Sequence, residues 1–193
     1  MRDEDCTDGE LAALVLAGRK AAFAEIMRRH KEPLYRLILG HVGSPDDALD
    51  LVQESFVAAY RNLESYDPER PLRAWLARIA INKCRDWARR RNVRRFFSFA
   101  RPLDDAAAVA DPAPPPDAAA ADREALDALW AAIAALPRSL KEPLLLCAVD
   151  GLSQAEAATV LRISPKAVET RLYRARAKLA AHRPGASRSS GDD

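Results

Sequence analysis

Along this chain apolar residues recur three and four positions apart and rarely alternate, so the pattern predicts helices and almost no strand. An amino-terminal block has the spacing of four helices, over residues 8–17, 20–41, 44–63 and 71–91. Pro33 falls inside the second, where its missing amide predicts an irregularity. The third opens at Ser44-Pro45-Asp46-Asp47: a hydroxyl cap, a proline and two acids suited to the positive end of the helix dipole. Its expected buried stripe is Leu49, Val52, Phe56, Tyr60 and Leu63, which leaves Asp50, Gln53, Glu54 and Val57 as a mixed surface. That surface suits a protein partner or plain solvation. A turn-like loop, 64–70, leads to the fourth helix, whose expected apolar face is Leu72, Trp75, Leu76, Ile79, Ala80, Cys84 and Trp87.

A carboxy-terminal block has helices expected at 124–135 and 140–150, the latter with Pro143 in its first turn. The segment 151–179, GLSQAEAATVLRISPKAVETRLYRARAKL, then carries two helix starts close together. Ser153 and Glu156 have the spacing of a capping box, with Leu152 placed to staple against Ala157. Ser164-Pro165 is a second cap followed by a proline where no amide is needed. Two short helices with a tight turn make a helix-turn-helix, which places a helix in the DNA major groove. In the second helix Val168, Leu172, Ala175 and Leu179 form the apolar stripe. Lys166, Thr170, Tyr173 and Arg174 lie on or near the opposite face, flanked by Arg171, Arg176 and Lys178. Residues 162–183 hold seven basic side chains against the single acid Glu169, a bias that favours a polyanion over a solvated helix.

Between the blocks, Pro102, Pro112, Pro114, Pro115 and Pro116 stand among alanines and aspartates, a composition that reads as an extended linker. The expected fold is all-α: two small helical domains, 8–92 and 123–183, joined by a flexible linker over 93–122, with the helix-turn-helix closing the second and a disordered tail at 184–193. The 193 residues balance 30 Lys+Arg against 28 Asp+Glu, so any DNA binding comes from segregated charge. The acidic start MRDEDCTDGE lacks a signal-peptide pattern, and no apolar run approaches the ~20 residues that span a bilayer. A soluble, cytoplasmic protein is expected. Cys6, Cys84 and Cys147 are far apart, as are the three histidines, so no metal site is expected; Cys84 and Cys147 read as buried, inert thiols.

The fourth helix carries a second basic surface. Arg78, Asn82, Arg85 and Arg89 recur at i, i+4, i+7 and i+11, and residues 71–101 hold ten basic side chains against the lone acid Asp86. Arginines meet phosphates and an asparagine can pair with a base edge. Trp75 and Trp87 fall on the apolar side, as core rather than base-stacking groups. Two basic surfaces on two domains suggest contact with two separated DNA segments.

With these features in place, the run DALDLVQESFVAAYRNLESYDPERPLRAWLARIAINKCRDWARRR resembles region 2 of the extracytoplasmic-function sigma factors, and LPRSLKEPLLLCAVDGLSQAEAATVLRISPKAVETRLYRARAKL resembles their region 4. The resemblance covers residues 10–92 and 124–182. It implies a factor that joins the RNA polymerase core, reads the −35 and −10 promoter elements and helps open the DNA. By this resemblance Asp50, Gln53 and Glu54 face the β′ clamp helices, with further contacts to the β subunit. Arg78, Asn82, Arg85 and Asp86 face the −10 element, and the loop 64–71 captures a flipped-out base. Lys166, Thr170, Arg171, Tyr173 and Arg174 face the −35 element. The linker would thread through the polymerase. The family also implies a dedicated anti-sigma factor, often membrane-anchored, which would hold the chain at the inner face of the membrane without inserting it. No cofactor is implied. Arg162 stands where many members have glycine, a place that favours a left-handed residue. The apolar Leu146-Cys147-Ala148 stands where some members of that family place a basic residue that would meet phosphate.

Three other classes compete. A transcription activator would share the helix-turn-helix, but its partner domain would alternate strands and helices. A helical adaptor would not need a strongly basic second domain. An enzyme would need paired carboxylates, a nucleophile–base pair, a phosphate loop or metal-ligand spacing, and the sequence offers none.

Overall fold

The computed structural model describes residues 3–98 and 118–181, and among them every regular element is helical. Helix α1 (Asp8–Leu16) begins with a capping box in which Thr7 and Glu10 serve each other's backbone amides. Helix α2 (Ala22–Val42) runs unbroken through Pro33 and stops at Gly43, whose left-handed φ of 75° ends it. Helix α3 (Pro45–Arg61) is capped by Ser44, whose hydroxyl accepts from the Asp47 amide at 3.4 Å. A 3₁₀ turn at Leu63–Ser65 then leads through the loop to α4 (Leu72–Ser98).

After α4 come α5 (Ala118–Ala135), α6 (Arg138–Leu144), α7 (Gln154–Leu161) and α8 (Pro165–Ala181). Helix thus takes both ends of the stretch expected as linker, because α4 continues past 91 and α5 starts before 124; the rest of that linker and the tail 184–193 lie outside the described residues. The helix expected at 140–150 is also shifted. It starts two residues earlier, at Arg138, so Pro143 falls in its second turn, and it continues as a wider π-helical turn over Leu145–Val149. A proline there offers no amide to the carbonyl one turn back.

Burial follows the predicted stripes with one rotation. On α3, Leu51, Val52, Ser55, Phe56 and Ala59 are buried, whereas Leu49 and Tyr60 are 45% and 40% exposed. The inward face is centred a residue away from the expected one. On α4, Leu72, Trp75, Leu76, Ala80 and Cys84 are buried as expected, and Trp87 is half-buried with its indole N–H donating to Asp47 Oδ1 at 3.0 Å. Burial pushes the Cys84 thiol up to about 12, so it remains protonated. No described helix is long and apolar enough to cross a membrane.

Helices α1–α4 enclose one part of the core and α5–α8 another, and the two parts are continuous. Helix α2 packs against α5 and the π turn, and α4 packs against α7. The two helical units therefore meet face to face.

Candidate nucleic-acid and polymerase interfaces

The helix-turn-helix is built from local signals. Ser153 and Glu156 form both arms of the expected capping box, and the Ser164 hydroxyl accepts from the Ala167 amide at 3.1 Å. Leu152 and Ala157 are both buried, as a staple requires. Arg162 closes α7 in the left-handed region, at φ 57° and ψ 48°. The Ile163 amide then reaches back to the Ala158 carbonyl at 3.1 Å, satisfying an orphan acceptor at the helix end.

Val168, Leu172 and Ala175 hold α8 against the core, so the other side of α8 faces outward. Lys166, Thr170, Tyr173 and Arg174 are exposed, Tyr173 at 75%, and Arg171 is half-exposed. Lys166 pairs with Glu169 at 2.9 Å, and the Thr170 hydroxyl donates to the Lys166 carbonyl at 2.9 Å. Both contacts are at the surface, where they are readily exchanged for a phosphate or a base.

On α4, Arg78, Asn82 and Arg89 are exposed while Arg85 and Asp86 are half-buried. Asp86 is paired with Arg89 at 2.6 Å. Arg78 and Asn82 line a groove together with Ile79, Asn62, Ser65 and the turn residue Arg162. The loop expected to capture a base borders a separate cavity, whose walls include Tyr66, Arg70, Trp75 and Arg78 on one side and Thr159 and Val160 of α7 on the other. The Trp75 indole N–H is buried there without a hydrogen-bond partner.

Asp50, Gln53 and Glu54 are all exposed and share a shallow depression with Val57, Arg61, Asn62 and Lys83. Lys83 reaches Glu54 at 3.1 Å. The exposed Leu49 and Val57 flank Gln53 and give this face an apolar component; Val57 was expected on this surface, whereas Leu49 was expected in the core.

Sequence reasoning missed the polar contacts that join the two helical units. Arg85 makes a two-pronged bond to Glu142, Nε to Oε1 at 2.8 Å and Nη2 to Oε2 at 2.6 Å. The His41 ring lies 3.6 Å from the same carboxylate. Burial works to raise the Glu142 carboxyl, but Arg85 and His41 outweigh it and hold the group at about 2. Neighbouring Lys141 is also buried, and its ammonium donates to the His41 and Ala134 carbonyls at the ends of α2 and α5. Arg73 bonds Asp150, which is 1% exposed, at 3.0 Å. Burial raises the Asp150 carboxyl, with Arg73 opposing. The available signal was the pair Lys141-Glu142 inside an otherwise apolar run, an unusual place for two charges.

The chain matches two family models, sigma-70 region 2 over residues 26–94 and sigma-70, region 4 over residues 126–179. The RNA polymerase sigma factor CnrH of Cupriavidus metallidurans is 42% identical over 184 residues, covering 94% of this chain and 96% of that protein. The ECF RNA polymerase sigma factor SigM of Mycobacterium tuberculosis is 32% identical, covering 90% of this chain and 83% of its own length. Among solved structures, CnrH in complex with the cytosolic domain of CnrY superposes with a TM-score of 0.66 at 35% identity, covering 90% of this chain and 95% of that one. The sigma factor RpoE of Bartonella quintana, in complex with the anti-sigma factor NepR, has the same fold, with a TM-score of 0.66 at 22% identity over 82% of this chain and 94% of its own. Two family regions in the right order, with full-length relatives above 30% identity, make this chain a sigma factor of the extracytoplasmic-function type in the sigma-70 family.

Proposed function

We propose that the exposed face of α8 reads the −35 element through Lys166, Thr170, Arg171, Tyr173 and Arg174. The observation that carries this is the division of α8: Val168, Leu172 and Ala175 are buried, while the basic and aromatic residues point away from the protein. An arginine fork suits guanine or phosphate, and a solvent-facing tyrosine suits sugar and phosphate. Arg78, Asn82, Arg85 and Asp86 of α4 serve the −10 element. The loop 64–71 takes an unpaired base beside Tyr66 and Arg78, and unstacking such a base costs only a few kcal/mol.

The domain at 8–92 carries the polymerase contact, with Asp50, Gln53 and Glu54 meeting the β′ clamp helices beside exposed Leu49 and Val57. The domain at 123–183 carries the upstream DNA contact and a contact to the β subunit. An anti-sigma factor restrains the chain, as supported by the likeness to CnrH held by the cytosolic domain of CnrY.

Run-off transcription with purified core polymerase and genomic fragments tests the reading. A promoter-specific transcript that needs this chain is expected; no transcript and no complex with core would overturn it. Arg174→Ala should weaken −35-dependent recruitment, and Asn82→Ala should impair opening while duplex binding persists. Permanganate footprinting separates the two steps, and equal loss of both in both variants would refute the division.

A further inference from the structure

We propose that the seam between the two helical units holds a small-molecule site whose ligand is a nucleoside di- or triphosphate. The base lies in the cavity between the loop 64–71 and α7. The phosphates lie in the adjoining groove, between Arg78 and Arg162. The site shares Tyr66 and Arg78 with the −10 surface proposed above but does not depend on that assignment.

The groove suits an anion. Arg78 reaches it from α4 and Arg162 from the turn after α7, so each unit brings one guanidinium group to the same place. Both arginines are exposed, and neither has a carboxylate partner among the described residues. No acidic side chain lines the groove. Two like charges facing one groove repel, and a phosphate chain between them replaces that repulsion with two forked bonds. Arg162 also stands at φ 57°, where an L-residue is strained and glycine would turn the chain more easily. Its side chain therefore has a use that the turn alone does not supply.

The cavity suits a flat, mostly apolar group. Its volume of about 460 Å³ falls within the ~300–1,000 Å³ of small-molecule sites. Pro71, Ala74 and Val160 give it apolar walls. The Tyr66 hydroxyl donates to the Arg70 carbonyl at 2.8 Å, which fixes the tyrosine ring as another wall. The acids at the cavity are engaged locally, Asp67 with Arg70 at 3.2 Å and Glu156 with the Ser153 hydroxyl at 2.6 Å. Cavity and groove share Ser65, Trp75 and Arg78, so they form one continuous site. Trp75, where they join, is 8% exposed and its indole N–H has no partner. A buried donor left unpaired is costly, and an acceptor on the ligand would satisfy it. An aromatic body, an acceptor and a polyanionic end are the parts of a nucleotide.

The test uses the full chain alone. Isothermal titration calorimetry measures binding of ATP, GTP, CTP and UTP, with inorganic tripolyphosphate and the four nucleosides as probes of each half. At least one nucleotide should bind one-to-one, more tightly than tripolyphosphate or its own nucleoside. Arg162→Ala removes a groove cation, and Ala155→Phe fills the cavity from an exposed position on α7. Each should weaken binding about tenfold, the loss of one charge-assisted bond or its equivalent in contact. Arg78→Ala gives the same reading from the other unit, should a change on α7 alter the fold by circular dichroism. Lys31→Ala removes an exposed charge from α2 outside the site and should leave binding unchanged. Failure of all four nucleotides to bind overturns the site. Binding that survives all three site variants, or that Lys31→Ala weakens equally, places the nucleotide elsewhere on the basic surface and overturns it too. Tripolyphosphate binding as tightly as the nucleotides overturns the nucleoside assignment.

Discussion

Arg162 is the residue whose replacement most directly tests the helix-turn-helix geometry. Its φ of 57° and ψ of 48° place an L-residue in the left-handed region, and it is the one described non-glycine residue with positive φ. Contact between Cβ and the following carbonyl makes that conformation cost about 1–2 kcal/mol. Glycine escapes the clash but gives back about 0.5–1 kcal/mol through its freer unfolded chain. Arg162→Gly should therefore stabilise the chain by ~0.5–1 kcal/mol. Arg162→Ala keeps the Cβ and the strain, and should stay within ~0.5 kcal/mol of the parent because the arginine is exposed. Urea denaturation resolves the difference, and a 1 kcal/mol gain corresponds to about 2–4 °C in Tm for a chain of this size. If alanine and glycine prove equally stable, or glycine is the less stable, strain at this turn is not the controlling term. DNA affinity measured alongside then separates strain from function. Loss of binding in both variants, with stability gained only in the glycine one, would mean that the arginine is kept for phosphate at the expense of the turn.

Other outcomes follow from the same structure. Ser153→Ala removes one arm of the α7 capping box and should cost about 1 kcal/mol, read by thermal melting; Ser153→Asn should recover most of it. Glu142 is held at about 2 against an ordinary 4.5, so its contribution is complete above about pH 4.5 and is lost as pH falls toward 2. That shift corresponds to about 3 kcal/mol, and Glu142→Gln should flatten this part of a stability–pH profile. An unchanged acid limb in the variant would show that the Arg85–Glu142 pair is not formed in solution. Arg174→Ala should lower the slope of log affinity against log salt by about one if the side chain meets a phosphate, and leave that slope unchanged if it meets only a base edge.

Much of the site was legible because its signals are local. Ser153 with Glu156, Ser164 with Pro165, and Ser44 with Pro45 each announce a helix start within one turn of sequence, and each start lies at or beside those residues in the structure. The apolar stripe of α8 and the basic bias of α4 depend only on helical spacing. Errors arose where local preference was weak or was overridden. Before α5, Asp117 is a residue type favoured at helix caps, but the proline-rich run 112–116 ahead of it made the stretch read as linker. On α3 the choice between Leu49 and Leu51 as the inward residue depends on what packs against the helix, and α2 and α4 supply that information.

The sequence by itself determined the helical class, the two blocks, the helix-turn-helix and which faces are basic, because caps, prolines and periodicity act over a few residues. Only the tertiary structure decided that Arg85 is engaged by Glu142, that Asp150 is buried on Arg73, and that Gly40 makes room for Trp130 and Leu145. Those partners are 57, 77 and roughly a hundred positions apart along the chain. No local preference pairs residues at such distances. Docking of one helical unit on the other brings them together, and it turns an arginine read from sequence as open to DNA into one that is already occupied.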